Sequence, residues 1–213
     1  MSLNYKKITS LIFVLIFLSS CVETIIGGSL TAAYLSTREK SLSATASDIR
    51  ISSIIGTDFV INGLKNIGNY VDITVNEGRV LLTGIVRDSN KAKEAIDLAW
   101  KVDNVKEVID EIQIAKDLKL RPKDFSNSLI DYGLTAKIEA KLAINEKVKS
   151  KNYKITTVAK TVYLLGVAQD RSEINNVLQK ISHVIGVERV VNHVILKDDP
   201  RRVPPRSSAA VDL

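Results

Sequence analysis

The sequence predicts an α+β protein built from two tandem α-β-β-α-β units, each a three-stranded mixed sheet with two helices on one face. Residues 71–114 align without a gap on residues 153–196, 82 positions further on, and nine of the aligned pairs are identical. In both copies a helical spacing of apolar residues gives way to strand alternation, then to a second helical stripe and a final β-branched run. Packing both helices on one face of the sheet is the simplest way to bury their stripes.

The first helix of each copy is predicted from apolar residues three or four positions apart. These residues are Ile51, Ile54 and Ile55 in the first copy and Leu134, Ile138 and Leu142 in the second. Two strands follow, because residues 71–75 and 80–85 alternate in polarity, as do their counterparts around 155–157 and 162–165. Asn76-Glu77-Gly78 predicts a tight hairpin turn, whereas Val158-Ala159-Lys160 is a poor turn sequence.

The second helix of each copy is predicted to begin after a capping aspartate, Asp88 or Asp170. The β-branched runs 105–114 and 187–196 then close the units as strands. Gly84 and Gly166 lie inside the second strand, where glycine lowers stability unless another part of the chain approaches closely. We therefore expect a close backbone approach at both glycines.

Composition excludes several classes of protein. The chain has 30 Lys and Arg against 24 Asp and Glu, a net charge of +6, which is too small a bias for a dedicated nucleic-acid-binding protein. One Cys and two His cannot supply a disulfide framework or a closed zinc site. No phosphate-loop, dinucleotide or catalytic pattern is present, and His183 and His193 align with polar residues of the other copy and are expected to be exposed. We therefore predict a protein that is not an enzyme, with no catalytic residues, metal, cofactor or small-molecule substrate.

The N-terminus has the order of a secretory signal, with Lys6 and Lys7 before an apolar run over 8–18. The run is too short to span a bilayer, which takes roughly 20 apolar residues. Leu18-Ser19-Ser20-Cys21 resembles the bacterial lipobox, which implies cleavage before Cys21 and its acylation, palmitate included. The alternative, a plain signal peptide with a chance Cys, would leave a free thiol in an oxidising compartment. Three acyl chains suffice for permanent anchoring. The residue after Cys21 is Val22 rather than the Asp that retains lipoproteins in the inner membrane of enteric bacteria, and the resemblance therefore favours the outer membrane.

The predicted organisation of the chain is a signal peptide at 1–20, a flexible tether at 21–47, the first unit at 48–115, a linker at 116–127, the second unit at 128–197 and a disordered tail at 198–213. Each unit has its own helix stripes and strands, so we expect each to have its own core.

The Val-x-Leu-x-Gly strand and the Val-x-x-Val-x-x-Val closing run resemble the BON domain. Residues 21–197 as a whole resemble the dual-BON outer-membrane lipoproteins of Gram-negative bacteria, most clearly at 148–157 and 186–190. The resemblance implies a lipid-anchored protein on the periplasmic side of the outer membrane. It also implies that the first helix of the second domain meets anionic phospholipid and that the protein supports envelope integrity.

The charge distribution agrees with that implication. Residues 48–115 have a net charge of −3 and residues 128–197 a net charge of +5, with Lys137 and Lys141 on one rim of the stripe of the second domain's first helix. The candidate lipid-binding residues are Tyr132, Leu134, Lys137, Ile138 and Lys141. Gly133 stands where the relatives place a Trp.

Two alternatives remain open at this point. The helix could be an ordinary amphipathic helix with a solvated lysine face. The protein could instead be an adaptor, whose acidic first domain or exposed edge strands dock on a protein partner such as the outer-membrane assembly machinery.

Overall fold

The computed structural model describes residues 42–66, 68–115 and 122–202. The first unit consists of α1 (Leu42–Ile61), β1 (Lys65–Asn66), β2 (Asn69–Asn76), β3 (Arg79–Val86), α2 (Ser89–Trp100) and β4 (Glu107–Ile114). The second consists of α3 (Pro122–Ala143), a 3-10 turn (Ser150–Asn152), β5 (Tyr153–Val158), β6 (Thr161–Ala168), α4 (Arg171–Ser182), β7 (Arg189–Leu196) and a 3-10 turn (Pro200–Arg202). The predicted signal peptide and Cys21 lie outside the described residues.

Both units have the predicted topology. β2 and β3 form an antiparallel hairpin, and β4 lies parallel to β3 after the α2 crossover. β5, β6 and β7 repeat this arrangement, and a crossover helix is what a parallel pair requires. The predicted fold class is confirmed, and the one addition is β1, a two-residue strand that pairs with β2 at the edge of the first sheet.

Each unit has its own hydrophobic core between its helices and one face of its sheet, as expected. Ile51 and Ile55 of α1 are buried there together with Phe59, whereas Ile54 is exposed. Both glycines are explained by close backbone contacts, because a Cβ at Gly84 would collide with the carbonyl oxygen of Tyr70 and one at Gly166 with that of Asn152.

The helix caps are also as predicted. The Asp88 carboxylate accepts hydrogen bonds from the backbone N–H groups of Asn90 and Lys91, and the Asp170 carboxylate accepts one from that of Glu173. Each aspartate thus satisfies N–H groups that a helix leaves unpaired at its start.

The hairpin turns are held by an aspartate of the preceding helix. The Asp48 carboxylate accepts hydrogen bonds from the N–H groups of Glu77 and Gly78 at 2.8 and 2.9 Å. Asp131 does the same for Ala159 and Lys160, at 2.7 and 2.8 Å. Ala159 and Lys160 both have a positive φ, which disfavours them as a free turn. The contacts from Asp131 explain why a poor turn sequence still forms a tight hairpin.

Asp131→Ala is therefore expected to lower the free energy of unfolding by about 2–3 kcal/mol, because two charge-assisted hydrogen bonds are lost at a strained turn. Urea unfolding followed by circular dichroism measures the change. The control is Glu139→Ala on the exposed side of the same helix, which should stay within about 0.5 kcal/mol of the wild type. Equal stability of both variants would contradict the role assigned to Asp131.

The two units pack against each other through the sheet faces that the helices leave uncovered. Val80 and Leu82 of β3 belong to the first core, whereas Leu81 between them points the other way and meets Tyr163 and Leu165 of β6. All three residues of this sheet–sheet cluster are fully buried. The layer order is helices, sheet, sheet, helices, so the helices of the two units occupy opposite outer layers.

Equivalent residues of the two copies meet at this interface. The hydroxyls of Thr74 and Thr156 are 2.9 Å apart, and Nε2 of His193 is 2.9 Å from a carboxylate oxygen of Glu111. Both pairs are separated by 82 positions, so the units are related by an approximate two-fold axis, as in an isologous dimer. The expectation that His193 is an exposed surface residue is wrong, because the sheet of the first unit covers it through Arg79 and Glu111. His183 is exposed as expected.

The ordered units extend beyond the predicted domain bounds. α1 begins at Leu42, inside the predicted tether, where Ala44 and Ala46 favour continuation of the helix. α3 begins at Pro122, inside the predicted linker, because proline suits the first position of a helix.

The start of the predicted tail is also structured. The Arg202 guanidinium donates to both carboxylate oxygens of Glu77, at 2.7 and 2.9 Å, which ties residues after β7 to the turn of the first unit. Arg201 donates to the Asp199 carboxylate and thereby lowers the pKa of Asp199 to about 2. This ion pair therefore persists at neutral pH and is lost only as the pH falls towards 2.

Candidate lipid-binding surface

One side of α3 lies on the sheet of the second unit. Leu134 and Ile138 are only 5% and 0% exposed, and they pack with Leu142 in the second core. The expectation that Leu134 and Ile138 contact lipid is therefore wrong. Their spacing marks the stripe that faces the sheet, and the same side chains cannot face a membrane in the folded protein.

The opposite side of α3 is exposed and largely apolar. Tyr132 is 78% exposed, Leu129 61% and Ile144 83%. Between them the outward line of the helix carries small residues: Gly133, Ala136, Ala140 and Ala143. We call this side, from Leu129 to Ile144, the outer face of α3. A helix that is apolar on both sides suits burial on both sides, by a protein core and by a second apolar medium.

The sequence contained a signal for this face that periodicity analysis overlooked. A second series of apolar and small residues, three or four positions apart, runs parallel to the buried stripe. Its members are Leu129, Gly133, Ala136, Ala140 and Ile144. This second series is difficult to recognise in the sequence, because Gly and Ala contribute little to the periodicity of hydrophobic residues.

Lys137 and Lys141 lie along one edge of the outer face, and the exposed Glu139 lies along the opposite edge. Lys137 is exposed and Lys141 is half-buried, and neither makes an ion pair within the part of the chain that the structure describes. Their long stems can cover apolar surface while the ammonium groups reach charged groups beyond it. The first unit lacks this feature, because Ile54 and Asp58 occupy the matching positions of α1 when Asp48 is aligned with Asp131.

Contacts within the second unit hold α3 in this orientation. Asp131 ties its first half to the β5–β6 turn, and the Thr135 hydroxyl donates to that of Thr157 at 2.8 Å. At Gly133 a Cβ would meet no atom within 4 Å, so nothing in the described protein covers this part of the outer face.

Among the described residues, no helix combines the length and the apolar content needed to cross a bilayer. No group of three or more His, Cys, Asp or Glu side chains in the same ranges could hold a metal ion. The outer face of α3 is the candidate site, because it combines exposed apolar side chains with two lysines that have no ion-pair partner among the described residues.

Comparison with known proteins identifies the family. The sequence profile of the BON domain matches residues 44–116 and 131–198. The chain is 39% identical over 132 residues to the "Uncharacterized protein in gshII 5'region" of Anaplasma centrale, covering 62% of this chain and 85% of that protein.

Two further relatives match more distantly. The chain is 28% identical over 190 residues to the outer membrane lipoprotein DolP of Haemophilus influenzae, covering 87% of this chain and 93% of that protein. It is 25% identical to the osmotically-inducible protein Y of Escherichia coli, covering 60% of this chain and 62% of that protein. The resemblance inferred from the sequence motifs is confirmed: the chain belongs to the BON domain family and contains two BON domains in tandem.

Proposed function

We propose that the protein is an acylated lipoprotein of the outer membrane, facing the periplasm, that binds anionic phospholipid through its second BON domain and supports outer-membrane integrity without enzymatic activity. The observation that carries this proposal is the outer face of α3, which is apolar, exposed and bordered along one edge by two lysines without ion-pair partners among the described residues. The lipobox-like sequence ending at Cys21 and the relationship to an outer membrane lipoprotein support the location.

The geometry suits a helix that lies in the membrane surface. Leu129, Tyr132 and Ile144 would enter the boundary between headgroups and acyl chains, while Lys137 and Lys141 meet lipid phosphates. The solvated-helix alternative predicts a polar outer face, and the exposed side of α3 is instead dominated by apolar and small residues.

The test is cosedimentation of the unacylated chain 22–213, which contains both BON domains, with phosphatidylglycerol or phosphatidylcholine vesicles. Each lysine near an anionic surface contributes about 1 kcal/mol. Lys137→Glu combined with Lys141→Glu should therefore weaken binding to phosphatidylglycerol by about 30-fold or more. The melting temperature should stay nearly constant, because neither lysine has an ion-pair partner among the described residues and charges at the protein surface contribute little to stability.

The matched control is Lys93→Glu with Lys101→Glu, which changes the net charge equally at exposed positions of the first domain and should leave binding close to that of the wild type. Raised salt should weaken wild-type binding, because the attraction is screened over about 8 Å at physiological ionic strength. Retention of the Lys137/Lys141 variant on phosphatidylglycerol at low salt would contradict the proposed role of α3.

The layer order favours an adaptor as a second candidate function. With α3 on a membrane, α1 of the first domain lies in the opposite outer layer and faces away from that membrane. Its exposed side carries Ile49, Val60 and Ile61. The first domain could then present this helix to a protein partner while the second domain binds lipid.

The edge strands β4 and β7 are poorer docking sites for such a partner. The N–H of Ile112 on β4 donates to the Asp110 side chain, and the N–H of Val194 on β7 donates to Asn192. Side chains of the same strand thus occupy donors that an added strand would need. These contacts favour the helices of the first domain over β4 and β7 as the docking surface of an adaptor.

A further inference from the structure

The loop between α4 and β7 contains an isoleucine, Ile185, that is not part of the hydrophobic core. Ile185 is 90% exposed, the highest value among the large apolar side chains of the described residues. Its neighbour Val184 is buried in the core of the second domain. Ile185 therefore protrudes from a loop that is itself firmly seated.

This loop packs on α3. Gly186 has φ +103° and packs so closely on Leu134 that a Cβ there would lie 3.0 Å from its Cδ2 atom. Leu134 is one helical turn from Ile130, which is also exposed, and three positions from Lys137. The residue that follows Ile185 thus packs on the first half of α3, at the edge of the helix that carries Ile130 and Lys137.

The internal repeat supplies a comparison for this loop. Asp103 and Asn104 occupy the positions of Ile185 and Gly186, 82 residues earlier. Asn104 also has a positive φ, and Val102 is buried as Val184 is. The backbone is thus alike in both copies, and the protruding residue is acidic in the first domain and apolar in the second.

Asp is a common turn residue, because its side chain can hydrogen-bond the local backbone. An exposed Ile side chain in a turn makes no hydrogen bond, either to the backbone or to water. An apolar residue at this position is useful where the loop meets an apolar medium. The charge of the second domain and the adjacent outer face of α3 point to an anionic lipid bilayer as that medium.

We propose that Ile185 is a second membrane anchor of the second BON domain, and that it enters the acyl region beside α3 when the domain binds phospholipid. This inference rests on the proposed function. Membrane contact then involves two separate elements, a helix and a loop, which fixes the tilt of the domain on the surface as a single helix would not.

The test uses Ile185→Asn in the chain 22–213 with phosphatidylglycerol vesicles. Loss of a buried isoleucine should weaken binding by about tenfold or more. The salt dependence of binding should match that of the wild type, because no charge changes, whereas the Lys137/Lys141 variant should show a reduced salt dependence. Ile61→Asn, at an exposed position of the first domain, is the matched control and should bind as the wild type does.

A second measurement is independent of affinity. Ile185→Trp in a Trp100→Phe background should show a blue-shifted emission on phosphatidylglycerol vesicles and quenching by brominated acyl chains. Suppose that the wild type and Ile185→Asn bind equally well and that no quenching is seen at position 185. The proposal that Ile185 is a membrane anchor is then wrong, whereas the proposed function stands. If the wild type does not bind phosphatidylglycerol vesicles, both are wrong.

Discussion

Leu165→Asp is expected to lower the free energy of unfolding by about 4 kcal/mol or more, because it places a charge without a partner in the closed cluster between the two sheets. Leu165 is fully buried against Leu81 and Tyr163, so no side-chain rotation can bring the carboxylate to water. Urea unfolding of the chain 22–213 measures the loss. The wild type should unfold in one transition and the variant in two, because each domain keeps its own core.

The control for this substitution is Ile49→Asp, which introduces the same group at an exposed position of α1. It should change the free energy of unfolding by no more than about 0.5 kcal/mol. An equal loss in both variants, or a wild-type transition for Leu165→Asp, would show that the sheet–sheet cluster does not couple the two domains.

Cys21→Ala is expected to abolish permanent membrane anchoring, because in the proposed lipoprotein the diacylglyceryl group is attached to the Cys21 thiol and the third acyl chain to the α-amino group of the same residue. A single acyl chain already gives marginal membrane binding, and three give stable attachment. Fractionation of cells and labelling with radioactive palmitate measure the effect. The variant should incorporate no label, and a high-salt wash should release more of it than of the wild type from membranes, since only the reversible contacts of the second domain would hold it.

Val22→Ala leaves the thiol in place and should be labelled and retained like the wild type. Recovery of Cys21→Ala in salt-washed membranes at the wild-type level would contradict the lipobox interpretation. Incorporation of palmitate label reports acylation alone, so this part of the result is independent of lipid binding by α3.

Part of the candidate site was predictable from the sequence. Tyr132 and Lys137 are exposed on α3 as expected, because helical spacing places them away from the Leu134 stripe. Leu134 and Ile138 were misassigned, since spacing identifies an apolar stripe but cannot tell whether a sheet or a membrane covers it. Ile185 was not predictable, because a single apolar residue in a loop has no periodicity.

Periodicity and the 82-residue repeat were enough for the element order, the strand pairing within each domain and the capping aspartates, because these features depend on residues that are near in sequence or recur at a fixed interval. The contact between the domains depended on the tertiary structure. Leu81, Tyr163 and Leu165 alternate with core residues, and only the position of a second sheet buries them. The contact of Asp131 with the β5–β6 turn also depended on the tertiary structure, because it joins groups that are 28 and 29 positions apart in the sequence. Sequence spacing assigns side chains to faces, whereas the packing of whole domains decides which faces meet.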